Sequence, residues 1–246
     1  MCRLFAYLGP SATLEQLVLS PPHSLLRQCW EPRSQVGGVV NADGFGVGWY
    51  DLSRRPEPAR YRSTLPMWAD RSFASLAGIV SSTAVLAAVR SATPPLPTER
   101  SSTPPFTAGP WLFAHNGAVA GFREGAGSRL RRLLSERREA GIEGSSDSEV
   151  LFALTLDQLD SGEAPAEALT HVVDTVSAAA GGRLNLLLTD GGSIWATSRG
   201  DSLVARTTSD SVVVASEPDD DEAEWQTIPD GAMVSAAPGQ VDWRPR

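Results

Sequence analysis

The chain has 246 residues, of which 41% are hydrophobic and 20% are charged, so one domain could bury a sizeable core. Its formal net charge of −8 argues against nucleic acid or an anionic membrane as a partner, since both attract basic surfaces. All 21 basic residues are arginines, which excludes lysine chemistry such as a Schiff base.

Cysteine and histidine are too few and too scattered to predict a bound metal. Two cysteines, Cys2 and Cys29, cannot form a disulfide framework, and the three histidines are not at metal-ligand spacings. We therefore expect no metal and no other cofactor. The N-terminal apolar run is shorter than a signal peptide or a membrane helix requires. We expect a cytoplasmic protein with reduced thiols, in which Cys29 is buried and inert.

Cys2 is the first candidate catalytic residue, because removal of Met1 would make it the N-terminal residue. Its own α-amine could then act as general base for its thiol, as in other N-terminal nucleophiles. The α-amine has an ordinary pKa of about 7.7–8.0, close to working pH. A chance Met-Cys start is the alternative at this point.

Strands are predicted at both ends of the chain, with helices between them. Alternating patterns and short apolar runs predict strands within residues 3–9, 41–50, 83–89 and 111–114, and a meander of hairpins within 183–190, 193–198, 202–207, 212–215 and 225–241. Helical patterns cover residues 13–19, 69–80, 128–138, 150–159 and 164–180. We expect one α+β domain spanning residues 1–246, with two antiparallel sheets covered by helices.

Glycine alternates with Phe45, Val47 and Trp49 in the second predicted strand. Such glycines let another backbone approach closely. A dinucleotide-binding fingerprint is disfavoured here, because the glycines lie along a strand and do not begin a helix.

Three further positions each allow a structural and a functional interpretation. Arg90 ends a buried strand, where its charge needs either an internal salt bridge or an anionic ligand. Asn116-Gly117 could form a hairpin turn or an oxyanion hole. Asp147 lies in the first turn of a helix with a predicted Ser146/Glu149 capping box, and could compensate the helix dipole or bind a ligand amine.

Residues 94–110 form a long, proline-rich connection. Connections of this length in compact domains are often functional. We expect a lid or a substrate-facing wall.

Taken in order, these motifs resemble one family. Met1-Cys-Arg, Asp43-Gly-Phe-Gly-Val-Gly-Trp, Arg90-Ser-Ala-Thr, His115-Asn-Gly and Ser146-Asp-Ser-Glu are similar to the class II glutamine amidotransferase domain, an N-terminal-nucleophile hydrolase. The resemblance extends to Ala215-Ser-Glu-Pro and covers nearly the whole chain. It implies a four-layer αββα sandwich.

The resemblance also implies roles for individual residues. Cys2 would attack a γ-glutamyl carbonyl, and Asn116 and the Gly117 N–H would form the oxyanion hole. Arg90, with Thr93 nearby, would bind the α-carboxylate of the glutamyl group, and Asp147 would receive its α-ammonium. A glutamyl head is a zwitterion, so an arginine and an aspartate close together suit it independently.

Two departures from the family pattern bear on function. Ala88 stands where many members have a histidine before the apolar-Arg pair, so any contact from that histidine is absent. The chain ends at residue 246 without a domain that would consume ammonia, so we expect hydrolysis without a protein partner.

Residues 41–49 and 67–73 resemble the branch of the family that removes glutamate from γ-glutamyl-hercynylcysteine sulfoxide in ergothioneine biosynthesis. A small-molecule γ-glutamyl substrate is therefore expected. Trp30, Tyr50 and Trp68 are candidates for a cation–π contact with its trimethylammonium group, although core packing explains each of them. The alternatives are a glutaminase subunit that supplies ammonia to a separate synthetase, and an inactive glutamyl-binding module.

Overall fold

The computed structural model describes residues 2–36, 38, 40–92, 99–222 and 224–245. The strands are β1 Arg3–Thr13, β2 Phe45–Trp49, β3 Ala59–Ser63, β4 Ser81–Val89, β5 Phe106–Ala108, β6 Trp111–Val119, β7 Gly182–Thr189, β8 Ile194–Thr197, β9 Val204–Thr207, β10 Val212–Ala215, β11 Gln226–Thr227, β12 Ala232–Ala237 and β13 Gln240–Pro245. The α-helices are α1 Leu14–Val18, α2 Arg71–Ala77, α3 Gly127–Arg131, α4 Glu136–Ala140, α5 Asp147–Asp160 and α6 Pro165–Ala179.

The strands form two antiparallel sheets. One sheet has the order β11-β9-β10-β1-β4-β2-β3, and the other has the order β13-β12-β8-β7-β6-β5. β1 lies in the middle of the first sheet because its apolar residues pack on both faces, and it pairs with β4 and β10. The prediction of two antiparallel sheets is confirmed.

Three apolar clusters divide the protein into four layers. The cluster between the sheets contains Leu86 from one sheet and Leu112 from the other. A second cluster packs the outer face of the β6-containing sheet against α3, α5 and α6. The third packs the outer face of the β1-containing sheet against α1 and α2. This is the expected αββα sandwich.

The glycines of β2 allow the close approach that their spacing predicts. A Cβ atom on Gly46 would lie 2.2 Å from the carbonyl oxygen of Pro104, and one on Gly48 would lie 2.6 Å from a methyl group of Leu112. Their absence lets residues 104–105 and the second sheet pack directly on β2.

The predicted basic helix over residues 128–138 is wrong in its continuity. α3 ends at Arg131, and α4 begins only at Glu136. Ser135 takes an extended conformation and its side chain accepts a hydrogen bond from the N–H of Arg138, so it caps a new helix. Helical periodicity alone does not reveal this interruption.

The C-terminal strands also differ from a single meander. β7 and β8 pair in one sheet, whereas β9 and β10 pair in the other. The chain therefore crosses between sheets over residues 198–203. No helix in the described part of the chain is long and apolar enough to cross a membrane.

Candidate active site

A cavity of about 190 Å³ opens where the ends of β1, β4 and β6 meet the start of α5. Four of the predicted site residues line it: Cys2, Arg90, Gly117 and Asp147. These positions come from four separate segments of the chain. Thr93, which was also predicted, lies outside the described residues.

Strand register places Cys2 next to Arg90. Arg3 is paired with Val89 in the antiparallel β1–β4 ladder, so the residues just beyond this pair leave the sheet side by side. Cys2 is half-buried against the core between the sheets. Its thiol is thus held at a rigid sheet end, on the wall of the cavity.

The backbone around Arg90 is fixed by the turn that precedes β2. The N–H of Arg90 donates to the carbonyl of Gly44 (2.8 Å), and its carbonyl accepts from the N–H of Asp43 (3.0 Å). The Asp43 carboxylate accepts from the N–H of Ala92 at 2.7 Å. The Asp43-Gly44 turn therefore shapes the chain on both sides of Arg90, whose side chain is 4% exposed.

Asn116 and Gly117 lie inside β6, so the hairpin-turn interpretation is wrong. Leu112 and Ala114 point into the core between the sheets, and alternation directs the Asn116 side chain to the same face. Asn116 is fully buried, yet neither its Oδ1 nor its Nδ2 has a hydrogen-bond partner among the described residues. Buried amides in proteins are nearly always paired, so this unpaired one is a candidate for a ligand contact.

Gly117 has a backbone that only glycine can adopt here. Its φ angle is +149°, and a Cβ atom would lie 1.9 Å from the carbonyl oxygen of Arg183. The missing side chain also leaves the main chain open to the cavity, which Gly117 lines.

His115 points to the opposite face of β6, toward α5. Its Nε2 lies 3.0 Å from the carbonyl oxygen of Arg183, and its Nδ1 lies 3.0 Å from Oγ of Ser148. A carbonyl can only accept, so Nε2 carries the proton and Nδ1 accepts from Ser148 in the neutral ring. His115 thereby ties β6 to the first turn of α5.

The predicted capping box at the start of α5 is confirmed. The Ser146 side chain accepts from the N–H of Glu149, and the Glu149 side chain accepts from the N–H of Ser146. Asp147 follows in the first turn, and its Oδ2 accepts from the N–H of Val119 at 2.9 Å while Oδ1 accepts from the N–H of Ser148 at 2.8 Å. These bonds orient the carboxylate on the cavity wall opposite the sheet that carries Arg90.

A buried ionic cluster beneath Cys2 was not anticipated. The Nε of Arg3 donates to the carbonyl of Cys2 (2.8 Å), and its Nη1 lies 3.5 Å from Oε1 of Glu217. His23 and the N–H of Arg33 also contact Glu217. Burial lowers the pKa of Arg3 against the opposing charge of Glu217.

For Glu217 the partners outweigh burial, whereas for Arg3 burial outweighs the partners. Burial acts to raise the pKa of Glu217, but the hydrogen bond from His23, the N–H of Arg33 and the charge of Arg3 together hold it below its ordinary value. The sequence places Glu217 in the Ala215-Ser-Glu-Pro motif at the start of an acidic loop, but it does not show the contacts of this side chain. The signal that could have identified it is the Ser-Glu-Pro that directly follows a fully apolar strand.

The cavity mouth contains residues that the sequence did not single out. Phe122, Arg123 and Glu124 line it, on one irregular helical turn that begins after Gly121. The three aromatic candidates lie elsewhere. The Tyr50 hydroxyl donates to the carbonyls of Pro110 and Thr189 in the core.

Trp30 and Trp68 pack edge to face, with ring centroids 5.8 Å apart, on the outer surface. Cys29 is fully buried, and burial raises its pKa to about 12, as expected for an inert thiol. No group of three or more His, Cys, Asp or Glu side chains within the described ranges is placed to hold a metal ion.

Comparison with known proteins identifies the family. Residues 23–209 match the family model described as glutamine amidotransferases class-II. The chain is 39% identical over 241 residues to the gamma-glutamyl-hercynylcysteine sulfoxide hydrolase of Mycolicibacterium smegmatis, covering 98% of each chain. It is 40% identical over 234 residues to the hydrolase of the same name from Mycobacterium tuberculosis, covering 95% of this chain and 92% of the relative.

A solved structure agrees with these relatives. The glutamine aminotransferase class-II domain protein of Silicibacter pomeroyi superposes with a TM-score of 0.70 at 28% identity, and 99% of each chain is covered. The fold, the ordered motifs and the extent of these matches lead to one conclusion: the chain belongs to the class II glutamine amidotransferase family.

Proposed function

We propose that this protein is a γ-glutamyl amidohydrolase that uses Cys2 as an N-terminal nucleophile. The observation that carries the proposal is the cavity that Cys2, Arg90, Gly117 and Asp147 line together. The residue before Gly117 is Asn116, whose buried amide has no partner among the described residues. One domain, residues 1–246, contains the complete set of groups.

In the first step, the α-amine of Cys2 takes the thiol proton, and the sulfur attacks the γ-carbonyl of the substrate. The amide C–N bond then breaks, the leaving amine takes the proton, and a γ-glutamyl thioester remains on Cys2. In the second step, water attacks the thioester, glutamate leaves, and the thiol is restored.

The negative charge that develops on the carbonyl oxygen needs donors that are already in place. The side-chain amide of Asn116 and the N–H of Gly117 are assigned this role. Because Nδ2 of Asn116 has no partner among the described residues, no existing hydrogen bond has to break before it donates.

Arg90 and Asp147 are assigned the two charges of the glutamyl head. A guanidinium binds a carboxylate through two parallel hydrogen bonds, and a carboxylate that two N–H donors hold in place can receive an ammonium. Asp147 has such donors in Val119 and Ser148. The opposed charges would orient the γ-carbonyl toward Cys2.

The leaving amine is proposed from the relatives. Two curated relatives with about 40% identity over nearly the full chain are named for γ-glutamyl-hercynylcysteine sulfoxide, and we propose the same substrate here. This substrate is a small molecule, and the reaction as written needs no cofactor, protein partner, nucleic acid or membrane. A cytoplasmic location would suit the free thiol of Cys2.

The test is a side-by-side assay of glutamate release from γ-glutamyl-hercynylcysteine sulfoxide and from glutamine. We expect the sulfoxide conjugate to be preferred in kcat/KM, with no turnover of either substrate by Cys2→Ala. Preference for glutamine, stimulated by a separate synthetase, would instead identify an ammonia-supplying subunit. Residual turnover by Cys2→Ala would remove the nucleophile assignment.

Intact mass of the active protein tests the general base separately. We expect the mass of a chain that lacks Met1, with Cys2 at its N-terminus. Full activity in protein that retains Met1 would rule out the amine as base.

A further inference from the structure

A second cavity, of about 220 Å³, borders the same segment, residues 101–107, as the catalytic cavity. Its walls are the edge strands β3 and β5 and the helices α4 and α5. Four guanidinium groups line it, from Arg60, Arg62, Arg137 and Arg138. Such a concentration of positive charge is unexpected in a protein with a formal net charge of −8.

Arg60 and Arg62 project from the same face of β3. They are two residues apart on a strand, and they pair with Gly48 and Gly46 of β2. Tyr61, between them, packs on the opposite face against Phe73. Both arginines therefore point inward, over the part of β2 where side chains are missing.

The partners of these two arginines are backbone carbonyls. Arg60 Nη1 donates to Pro105 (3.1 Å), and Arg62 Nη1 lies 3.4 and 3.3 Å from the carbonyls of Ser101 and Thr103. Neither arginine takes part in any ion pair found among the described residues. Carbonyls do not neutralise the positive charge, and Glu143 at the exposed rim is the carboxylate that attracts both guanidiniums.

The other charged groups in the cavity are already engaged or lie at its rim. Arg138 pairs with Asp157 and Asp160 on α5. Glu149 accepts hydrogen bonds from residues 144 and 146 in the cap of α5, and Glu143 is exposed. Burial, followed by the charge of Arg60, lowers the pKa of Arg62 to about 10. The two guanidiniums thus repel each other in partly dry surroundings.

We propose that this second cavity is an oxyanion-binding site, in which Arg60 and Arg62 together hold a carboxylate or phosphate group. Arginine presents a planar fork of donors that matches such anions, and an anion would relieve the repulsion between the two side chains. Residues 101–105 connect the site to catalysis, because Ser102 and Pro104 line the catalytic cavity while Arg60 and Arg62 hold the neighbouring carbonyls.

The anion could come from two sources with the same chemistry. It could be a free anion such as inorganic phosphate, or a carboxylate on the leaving half of the γ-glutamyl substrate. Only the second source rests on the proposed function.

The first arm measures binding of inorganic phosphate by titration calorimetry, using the whole protein at pH 7. The test variant is Arg60→Gln/Arg62→Gln. The control Arg55→Gln/Arg71→Gln removes the same charge from exposed positions outside both cavities. Arg90→Gln detects phosphate that binds in the catalytic cavity instead.

We expect the wild type, the control and Arg90→Gln to bind phosphate, and the test variant to bind about tenfold more weakly or not at all. If the test variant does not fold, Arg60→Lys/Arg62→Lys keeps the charge but loses the planar fork, and should also bind more weakly. The second arm compares KM for glutamine with KM for the sulfoxide conjugate. The leaving group of glutamine is ammonia, which has no carboxylate.

A rise in KM for the conjugate alone would assign the anion to the substrate. Weakened phosphate binding with both KM values unchanged would show that the site binds a free anion and not the substrate. Unchanged phosphate binding together with unchanged KM values would overturn the proposal, as would phosphate binding that only Arg90→Gln removes. If the wild type turns over neither substrate, the proposed function fails, while the phosphate arm still decides this inference.

Discussion

Two asparagines directly opposite each other on neighbouring strands have contrasting environments. Asn116 of β6 is paired in register with Asn185 of β7, and both side chains are buried. The Asn185 amide donates to the carbonyls of Asp201 and Ser202 and accepts from the N–H of Arg199. The Asn116 amide has no partner among the described residues.

The difference separates an amide that is hydrogen-bonded within the fold from one to which we assign the role of oxyanion donor. Asn185 hydrogen-bonds to the backbone of the segment that crosses between the two sheets, where unpaired backbone groups would lower stability. The unpaired buried amide of Asn116 lowers the stability of the fold, and a fold selected for stability alone would pair it or replace it. An unpaired donor suits the oxyanion role proposed for Asn116, because it needs no rearrangement when charge develops.

The strongest test of this contrast is Asn116→Ala. We expect kcat to fall by on the order of 10²–10³-fold, since an oxyanion donor is lost. The free energy of unfolding should stay the same or rise slightly, because an unsatisfied buried amide has been removed. Steady-state kinetics and denaturant unfolding measure the two effects. A loss of stability with normal kcat would return Asn116 to a structural role.

Asn185→Ala is the matched substitution on the neighbouring strand. Three hydrogen bonds are lost, so we expect the free energy of unfolding to fall by about 3 kcal/mol. The kcat of the folded fraction should change much less than in Asn116→Ala. If kcat fell by the same factor in both variants, the distinction between the two asparagines would be lost.

A smaller effect is expected at Asp219, a buried carboxyl group outside the catalytic cavity whose Oδ1 lies 3.5 Å from Nη2 of Arg206. Its Oδ1 has no hydrogen-bond partner among the described residues, and burial raises the pKa of Asp219 to about 6 against the attraction of Arg206. The folded state thus holds this proton more tightly than the unfolded state. The favourable contribution exists at low pH and is lost as pH rises through about 6.

Asp219→Asn should therefore be more stable than the wild type by about 1–2 kcal/mol at pH 8, and equally stable near pH 3. Thermal unfolding across this pH range measures the gap. Asp220→Asn is the control of opposite sign. Burial acts to raise the pKa of Asp220, but Trp225 and Arg206 hold it below its ordinary value, so its removal should destabilise at neutral pH. If the stability of Asp219→Asn and of the wild type changed in parallel with pH, the raised pKa of Asp219 would be contradicted.

Local rules predicted much of the fold. The Ser146/Glu149 capping box and the Thr13 cap are both present, because caps depend on residues three positions apart. The buried strand that ends before Arg90 follows from its continuous apolar run. Ser135 broke the predicted helix over residues 128–138, since a serine can serve as helix surface or as a cap, and its contacts with Asp157 favour the cap.

The candidate site was predictable as a list of residues but not as an arrangement. Cys2, Asn116 and Asp147 came from motif order. The placement of Cys2 and Asp147 on one cavity depends on the register of β1 with β4 and on the contact of β6 with α5. The Arg3–Glu217 cluster was not predicted, because the sequence pattern of an acidic loop does not indicate that one of its carboxylates is buried. The aromatic candidates were misplaced for a related reason, since ring chemistry does not specify which face a ring occupies.

The amino-acid order was enough to predict two antiparallel sheets with helices and to single out Cys2 as a candidate nucleophile, and the resemblance of its ordered motifs implied the family and the αββα layers. The amino-acid order did not predict which buried polar groups are hydrogen-bonded, because this depends on neighbours that are distant in the chain. Asn116 and Asn185 are the same residue type on adjacent strands, and only the folded chain leaves one unpaired. Arg60 and Arg62 are two of 21 arginines, and the packing of β3 against residues 101–105 is what gathers them around a cavity.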